Sequence, residues 1–124
     1  MKKKILIIVA AIIVVSFFAA LWINQQSQPG KLDAFAQCLK ENDAVFYGTF
    51  WCSYCQSQKK MFGRSAKYLP YVECSTSDGR GQLATCKDKK IEGYPAWEFS
   101  DGSRLSGAIS LTQLSEKTGC QLPQ

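Results

Sequence analysis

The chain opens with three lysines, Lys2 to Lys4, followed by an apolar run, ILIIVAAIIVVSFFAALWI, at residues 5–23. Eighteen of these 19 residues are apolar, Ser16 is the exception, and none is charged. As a helix the run reaches about 28 Å, close to the roughly 30 Å hydrocarbon core of a bilayer. The lysines before it predict a cytoplasmic N-terminus by the positive-inside rule, and Trp22 stands at the depth of an interfacial aromatic. The competing reading is a cleaved signal peptide. Its apolar region would be longer than the usual 7–15 residues, and no small-x-small site precedes a cleavage point. Both readings export the rest of the chain. The expectation is a single-pass protein whose C-terminal part lies on the periplasmic, extracytoplasmic or lumenal side.

Beyond the run the pattern changes. Residues 24–31, NQQSQPGK, form a polar linker with a Pro-Gly break. Residues 32–124 then alternate between two periods. Leu32, Phe35, Ala36 and Leu39 stand at helical spacing. AVFYGTF at 44–50 reads as a buried strand. A helix is expected from Ser53 to about Leu69, closed by Pro70, with Gly63 a candidate kink. YVEC at 71–74 is strand-like, 75–81 is turn-rich, and 82–90 reads as a short helix. Two strands, 96–99 and 103–107, flank an Asp101-Gly102 hairpin signal. A last helix over 111–119 has Gly119 as candidate C-cap. The order α-β-α-β-α-β-β-α predicts an α/β sandwich with a mixed sheet. The expected organisation is a basic tip and transmembrane anchor at 1–23, a linker at 24–31 and one domain at 32–124.

Charge and composition then narrow the function. The formal net charge of +5 is mostly a topology signal, because residues 24–124 hold 12 Lys and Arg against 10 Asp and Glu. That leaves little for a nucleic-acid footprint. The basic patches KK at 59–60 and KDKK at 87–90 read as solvated helix faces. The absence of His excludes Ser-His and Cys-His catalytic pairs, Cys₂His₂ fingers and a histidine pH switch. Six cysteines suit disulfides in an oxidising compartment.

The sharpest chemical feature is Trp51-Cys52-Ser53-Tyr54-Cys55, at the junction of the expected strand and long helix. A helix N-terminus offers unpaired N–H groups and about half a positive charge. Both would stabilise a thiolate at Cys52, with Cys55 one turn on as the resolving thiol. Cys52 is thus expected to be the exposed nucleophile. A plain staple and half a zinc site are the competing readings. Zinc ribbons want a second Cys-x-x-Cys, and Cys74 and Cys86 stand twelve positions apart. No metal or cofactor is expected in this chain. Gly93-Tyr94-Pro95-Ala96 precedes the third strand, where a proline is tolerated. Trp97 and Phe50 read as core. Trp51 and Tyr54 divide between packing and substrate contact.

The runs VFYGTFWCSYCQSQKKMFG, YVECSTSDGRGQLATCKDKKIEGYPAWEF and LSGAISLTQLSEKTGC resemble the thioredoxin-like domain fused to bacterial and plant vitamin K epoxide reductase homologues. The likeness covers residues 32–124. It implies a thioredoxin-like fold, with Cys52 and Cys55 as the redox pair. It also implies a cis Pro95 facing them and a substrate-docking role for the backbone of Tyr94. The family domain passes electrons to a membrane-embedded, quinone-linked reductase unit and oxidises exported cysteine-containing proteins. This chain has one span, so such a unit would be a separate polypeptide. General thioredoxins carry a buried Asp six residues before the first cysteine, where this chain has Phe46. That loss favours an oxidase over a reductase. The alternatives are a reductase or isomerase fed from the cytoplasm, or a non-catalytic stapled binding module.

The remaining cysteines, Cys38, Cys74, Cys86 and Cys120, allow three pairings. Joining Cys74 to Cys86 would close the turn-rich loop, and joining Cys38 to Cys120 would tie the ends of a small domain. On a chain-entropy model these bonds are worth roughly 3 and 4–5 kcal/mol. A relay of electrons through one of these pairs and other connectivities stay open at this point.

Overall fold

The computed structural model describes residues 1–26 and 28–124. Helix α1 (Lys2–Gln26) is apolar and long enough to cross a membrane, and none of its apolar stretch is buried against the rest of the protein. It runs three residues into the expected linker. The far end of that linker already belongs to the domain. The Gly30 amide donates to Asp33 at 3.0 Å, and the Leu32 amide donates to the buried Ser65 hydroxyl at 3.0 Å. A side chain at Gly30 would collide with Ser65 and Asp33, so only glycine lets the chain pass here.

The domain is built from α2 (Asp33–Glu41), β1 (Val45–Gly48), α3 (Ser53–Phe62), β2 (Tyr71–Glu73), α4 (Ala84–Asp88), β3 (Ala96–Glu98), β4 (Arg104–Ser106) and α5 (Leu111–Thr118). The sheet order is β2-β1-β3-β4. β1 pairs parallel with β2 through the α3 crossover, and antiparallel with β3, which forms a hairpin with β4. The mixed α/β class with flanking helices is therefore as expected for a thioredoxin-like fold. The long helix is shorter than its pattern implied. Gly63 adopts φ +52°, which ends α3, and residues 63–68 continue as a 3₁₀ turn. Gly119, at φ +74°, does cap α5, whose N-terminus carries a Ser110–Gln113 capping box.

β1 is central and buried on both faces, so it is apolar without alternation. On one face Phe46 stacks on Trp97 with ring centroids 4.9 Å apart, and Phe35, Leu39, Cys55, Phe62 and Leu114 complete the main core. On the other, Tyr47, Cys74, Cys86, Ile91 and Ala96 form a smaller cluster. The Cys38–Cys120 disulfide ties α2 to the chain after α5, and Cys74–Cys86 closes the 75–85 segment.

One buried polar side chain fixes α3 on the sheet. Gln58 has no solvent exposure. Its Oε1 accepts from the Ile109 amide at 2.6 Å and from Trp97 Nε1 at 3.3 Å, while Nε2 donates to the Ile109 carbonyl at 3.0 Å. Gln58→Leu leaves three buried groups without partners, each expensive to strand. The expected loss is about 2–4 kcal/mol in urea-unfolding stability. The double variant Cys38→Ala with Cys120→Ala is expected to cost about 2–5 kcal/mol by the same measurement.

Candidate thiol site

Extended backbone at the end of β1 turns into α3 at Cys52. This residue is the N-cap of α3, at φ −77° and ψ +116°, and its Sγ accepts the Cys55 amide at 3.2 Å. The sulfur does what a serine or aspartate oxygen does at other helix starts. The Cys52 amide in turn donates to the Thr49 carbonyl at 3.2 Å. This geometry corrects the expectation of an exposed nucleophile. A side chain bent back over the first turn is mostly covered, and Cys52 is only 7% exposed. Cys55 is at 0%, so the order of access still places Cys52 outermost. Both are free thiols.

Gly48 makes room for the inner thiol. A Cβ there would stand 3.0 Å from Cys55 Sγ and 2.9 Å from Tyr71 Cε2, so sulfur and phenol occupy the space a side chain would need. Behind them, Tyr71 donates to Glu73 Oε2 at 2.7 Å, and Lys59 Nζ lies 3.4 Å from the centre of the Tyr71 ring. Lys59 is thus half-buried against an aromatic face, not simply solvated as its pattern implied. Glu73 Oε1 accepts the amides of Ser75 at 2.9 Å and Phe50 at 3.3 Å, joining the segment before Cys52 to β2. Burial, reinforced by the hydrogen bond with Cys52 and partly offset by one from the Thr49 backbone, pushes the Cys55 thiol up to about 12. Burial also raises Tyr71, and its bond to Glu73 raises it further.

Phe50 does not join the core as its composition suggested. β1 ends at Gly48, Phe50 lies in the following loop, and it is half-exposed. Trp51 and Tyr54 are exposed too, so three exposed aromatic residues stand within two positions of Cys52 in the chain. Trp97 is fully buried. Tyr94 meets Trp51 edge to face at 6.2 Å, and the Tyr94–Pro95 peptide bond is cis, with Pro95 buried. Cys74–Cys86 lies in the smaller cluster, on the other face of the sheet from Cys55, and both its cysteines are fully buried. Among the described residues no group of His, Cys, Asp or Glu could hold a metal ion. A cleft of about 940 Å³ lies between residues 29–32 and 60–64 and includes no residue of the thiol pair.

Sequence reasoning missed Gly48, Lys59, Tyr71 and Glu73. The one available signal was a glycine ending a buried strand, which marks a close approach of something else. The alternation of Tyr71 and Glu73 on one face of β2 is visible only once β2 is placed beside β1.

No family model matches the chain. It is similar to the thiol-disulfide oxidoreductase LTO1 of Arabidopsis thaliana, with 45% identity over 106 residues. The match covers 82% of this chain and 28% of that protein, so the chain spans less than a third of the relative's length. Among solved structures it is similar to mitochondrial thioredoxin 3 of Saccharomyces cerevisiae in its oxidised form. That comparison has a TM-score of 0.39 and 19% identity, over 68% of this chain and 85% of the other.

The raised Cys55 value has two measurable consequences. Iodoacetamide at pH 8 is expected to modify Cys52 in the reduced protein and to spare Cys55, as read by mass mapping. The folded value of Cys55 exceeds the ordinary 9.0, so the folded state holds a proton that the unfolded chain releases. That contribution to stability is complete below pH 9 and is lost as the pH climbs from 9.0 to about 12. Urea midpoints of the reduced protein should therefore fall more steeply across this window than those of Cys55→Ala.

Proposed function

We propose that the protein catalyses thiol–disulfide exchange through Cys52 and Cys55, anchored in a membrane by residues 5–23. The observation that carries this reading is the Cys52 Sγ at the N-cap of α3, hydrogen-bonded by the amide of the second cysteine. A sulfur so placed has a hydrogen-bond donor and the N-terminal end of the helix before it, at the outer position of the pair. The similarity to a protein named a thiol-disulfide oxidoreductase supports it.

The proposed direction is oxidation of exported cysteine-containing proteins. A substrate thiolate attacks Cys52 Sγ of the Cys52–Cys55 disulfide. The bond breaks toward Cys55, which leaves as thiolate and takes a proton. A second substrate thiolate then attacks the substrate sulfur of the mixed disulfide and releases Cys52. The substrate has lost two electrons and the Cys52–Cys55 pair holds them. A membrane-embedded oxidoreductase unit, linked to a quinone and resembling the vitamin K epoxide reductase unit, would accept those electrons. The lack of a carboxylate at position 46 supports this direction, since Phe46 is buried against Trp97. Trp51, Tyr54, Tyr94 and Pro95 would line the substrate's approach. The basic N-terminal tip would remain cytoplasmic, with residues 32–124 on the far side of the membrane.

The test is the redox state and potential of the pair in the full chain. An oxidase has a mostly oxidised pair in exporting cells, and Cys55→Ala accumulates mixed disulfides on Cys52. A reduced pair at steady state would point to reductase or isomerase flow. A potential below about −300 mV with no trapped partner would reduce the pair to a staple.

A further inference from the structure

The segment between the Cys74–Cys86 bond and the thiol site is built as a bracket. Ser75 and Gln82 face each other across an isolated antiparallel bridge, and the Leu83 amide donates to the Cys74 carbonyl at 2.7 Å. The loop beyond is closed on itself. The Thr76 amide donates to the Gly81 carbonyl at 2.9 Å, the Gly81 amide to Thr76 Oγ1 at 2.9 Å, and Thr76 Oγ1 to Asp78 at 2.6 Å. The disulfide seals its base.

Each side of the base holds one aromatic ring. Trp51 Nε1 donates to Ser75 Oγ at 3.0 Å, and that hydroxyl uses its own proton on the Thr76 carbonyl at 2.9 Å. The Gln82 amide donates to the Tyr94 hydroxyl at 2.6 Å and to the Ile91 carbonyl at 2.7 Å. Since Trp51 and Tyr94 also meet edge to face, Ser75, Trp51, Tyr94 and Gln82 form a closed ring of contacts. A Cβ at Gly79 would stand 3.5 Å from Trp51 and 3.6 Å from Phe50, so this backbone passes close to both rings. A tryptophan 56% exposed would normally turn freely and give its N–H to water, yet this one is held by the Ser75 hydroxyl.

We infer that Ser75 and Gln82 are positioning residues for substrate choice. Through them the bracket presents Trp51 as a fixed apolar wall beside Cys52. The surface selects an extended polypeptide whose cysteine is flanked by a bulky apolar side chain. This inference rests on the thiol-exchange reading and names the substrate class for it. Trp51 at 56% and Tyr54 at 67% exposure give an open apolar surface rather than an enclosing one, which suits a polypeptide more than a small ligand. Four clefts of about 170 to 940 Å³ are lined by other residues.

The experiment uses the full chain in detergent micelles, with Cys52 and Cys55 oxidised. It follows single-turnover reduction of the pair with reductant in excess, and the half-saturating concentration and limiting rate serve as KM and kcat. Three reductants are compared: dithiothreitol, a dicysteine peptide with Phe before its first cysteine, and the same peptide with Gly there. The wild type should have the lower KM for the Phe peptide. Ser75→Ala and Gln82→Met should each raise that KM about 3- to 10-fold, the worth of one positioned hydrogen bond. Their kcat should stay within about twofold, as for a loss of binding alone. Ser75→Thr, which keeps the hydroxyl, should restore the KM. Near-UV circular dichroism checks the fold of each variant. Equal KM values for the two peptides in the wild type would overturn the inference without any variant. So would an unchanged KM in Ser75→Ala, or equal losses on dithiothreitol and peptide. Failure of the wild type to react with dithiothreitol would defeat the exchange reading itself.

Discussion

The turn from β1 into α3 has to bring a backbone N–H onto a sulfur while keeping a second sulfur under cover. Everything around it serves that requirement. Cys52 can cap the helix only if its own backbone is still extended, so β1 must stop at Gly48 and leave three residues for the turn. Cys55 then falls one turn inward, where only a glycine on β1 leaves room for its sulfur beside Tyr71. The same geometry that turns the Cys55 N–H onto the Cys52 sulfur buries the Cys55 side chain. Two chemically identical thiols thereby acquire different environments: the outer sulfur meets a hydrogen-bond donor, and the inner one meets apolar walls that favour its neutral form.

That turn would be useless on a helix free to shift, and α3 is held by unlike means near its start and in its middle. Near its start, Glu73 grips the Phe50 amide and binds the approach to Cys52 onto β2. In its middle, Gln58 joins Trp97 on β3 and the chain at Ile109, all without water. A buried amide with every hydrogen bond made is more orientation-specific than a leucine of similar size, because a small rotation of the helix would break several bonds at once. A domain of this size has a limited core. The Cys38–Cys120 bond closes its ends, and the Cys74–Cys86 bond stiffens the segment beneath the exposed aromatics. The Cys74–Cys86 pair and the free thiols of Cys52 and Cys55 lie on different faces of the sheet, whereas Cys38–Cys120 packs into the same core as the free thiols.

Periodicity along the chain determined the class of each element and its order, because a helix or strand writes its burial pattern into residues two to four positions apart. The location of Cys52 and Cys55 at a helix start was legible for the same local reason, as were Gly119 at a helix end and the Asp101-Gly102 turn. Other features were decided only by the tertiary structure. Phe50 is as apolar as Phe46, yet one lies in the core and the other on the surface, because β1 ends between them. Lys59, Tyr71 and Glu73 meet behind Cys55 only because β2 is parallel to β1 in a particular register. Ser75 and Gln82 reach Trp51 and Tyr94 only once the 75–82 loop folds back over the turn. These contacts join residues 12 to 24 positions apart, and no local pattern encodes them. The sequence determined which residues could carry the chemistry, and strand pairing and loop closure decided what surrounds them.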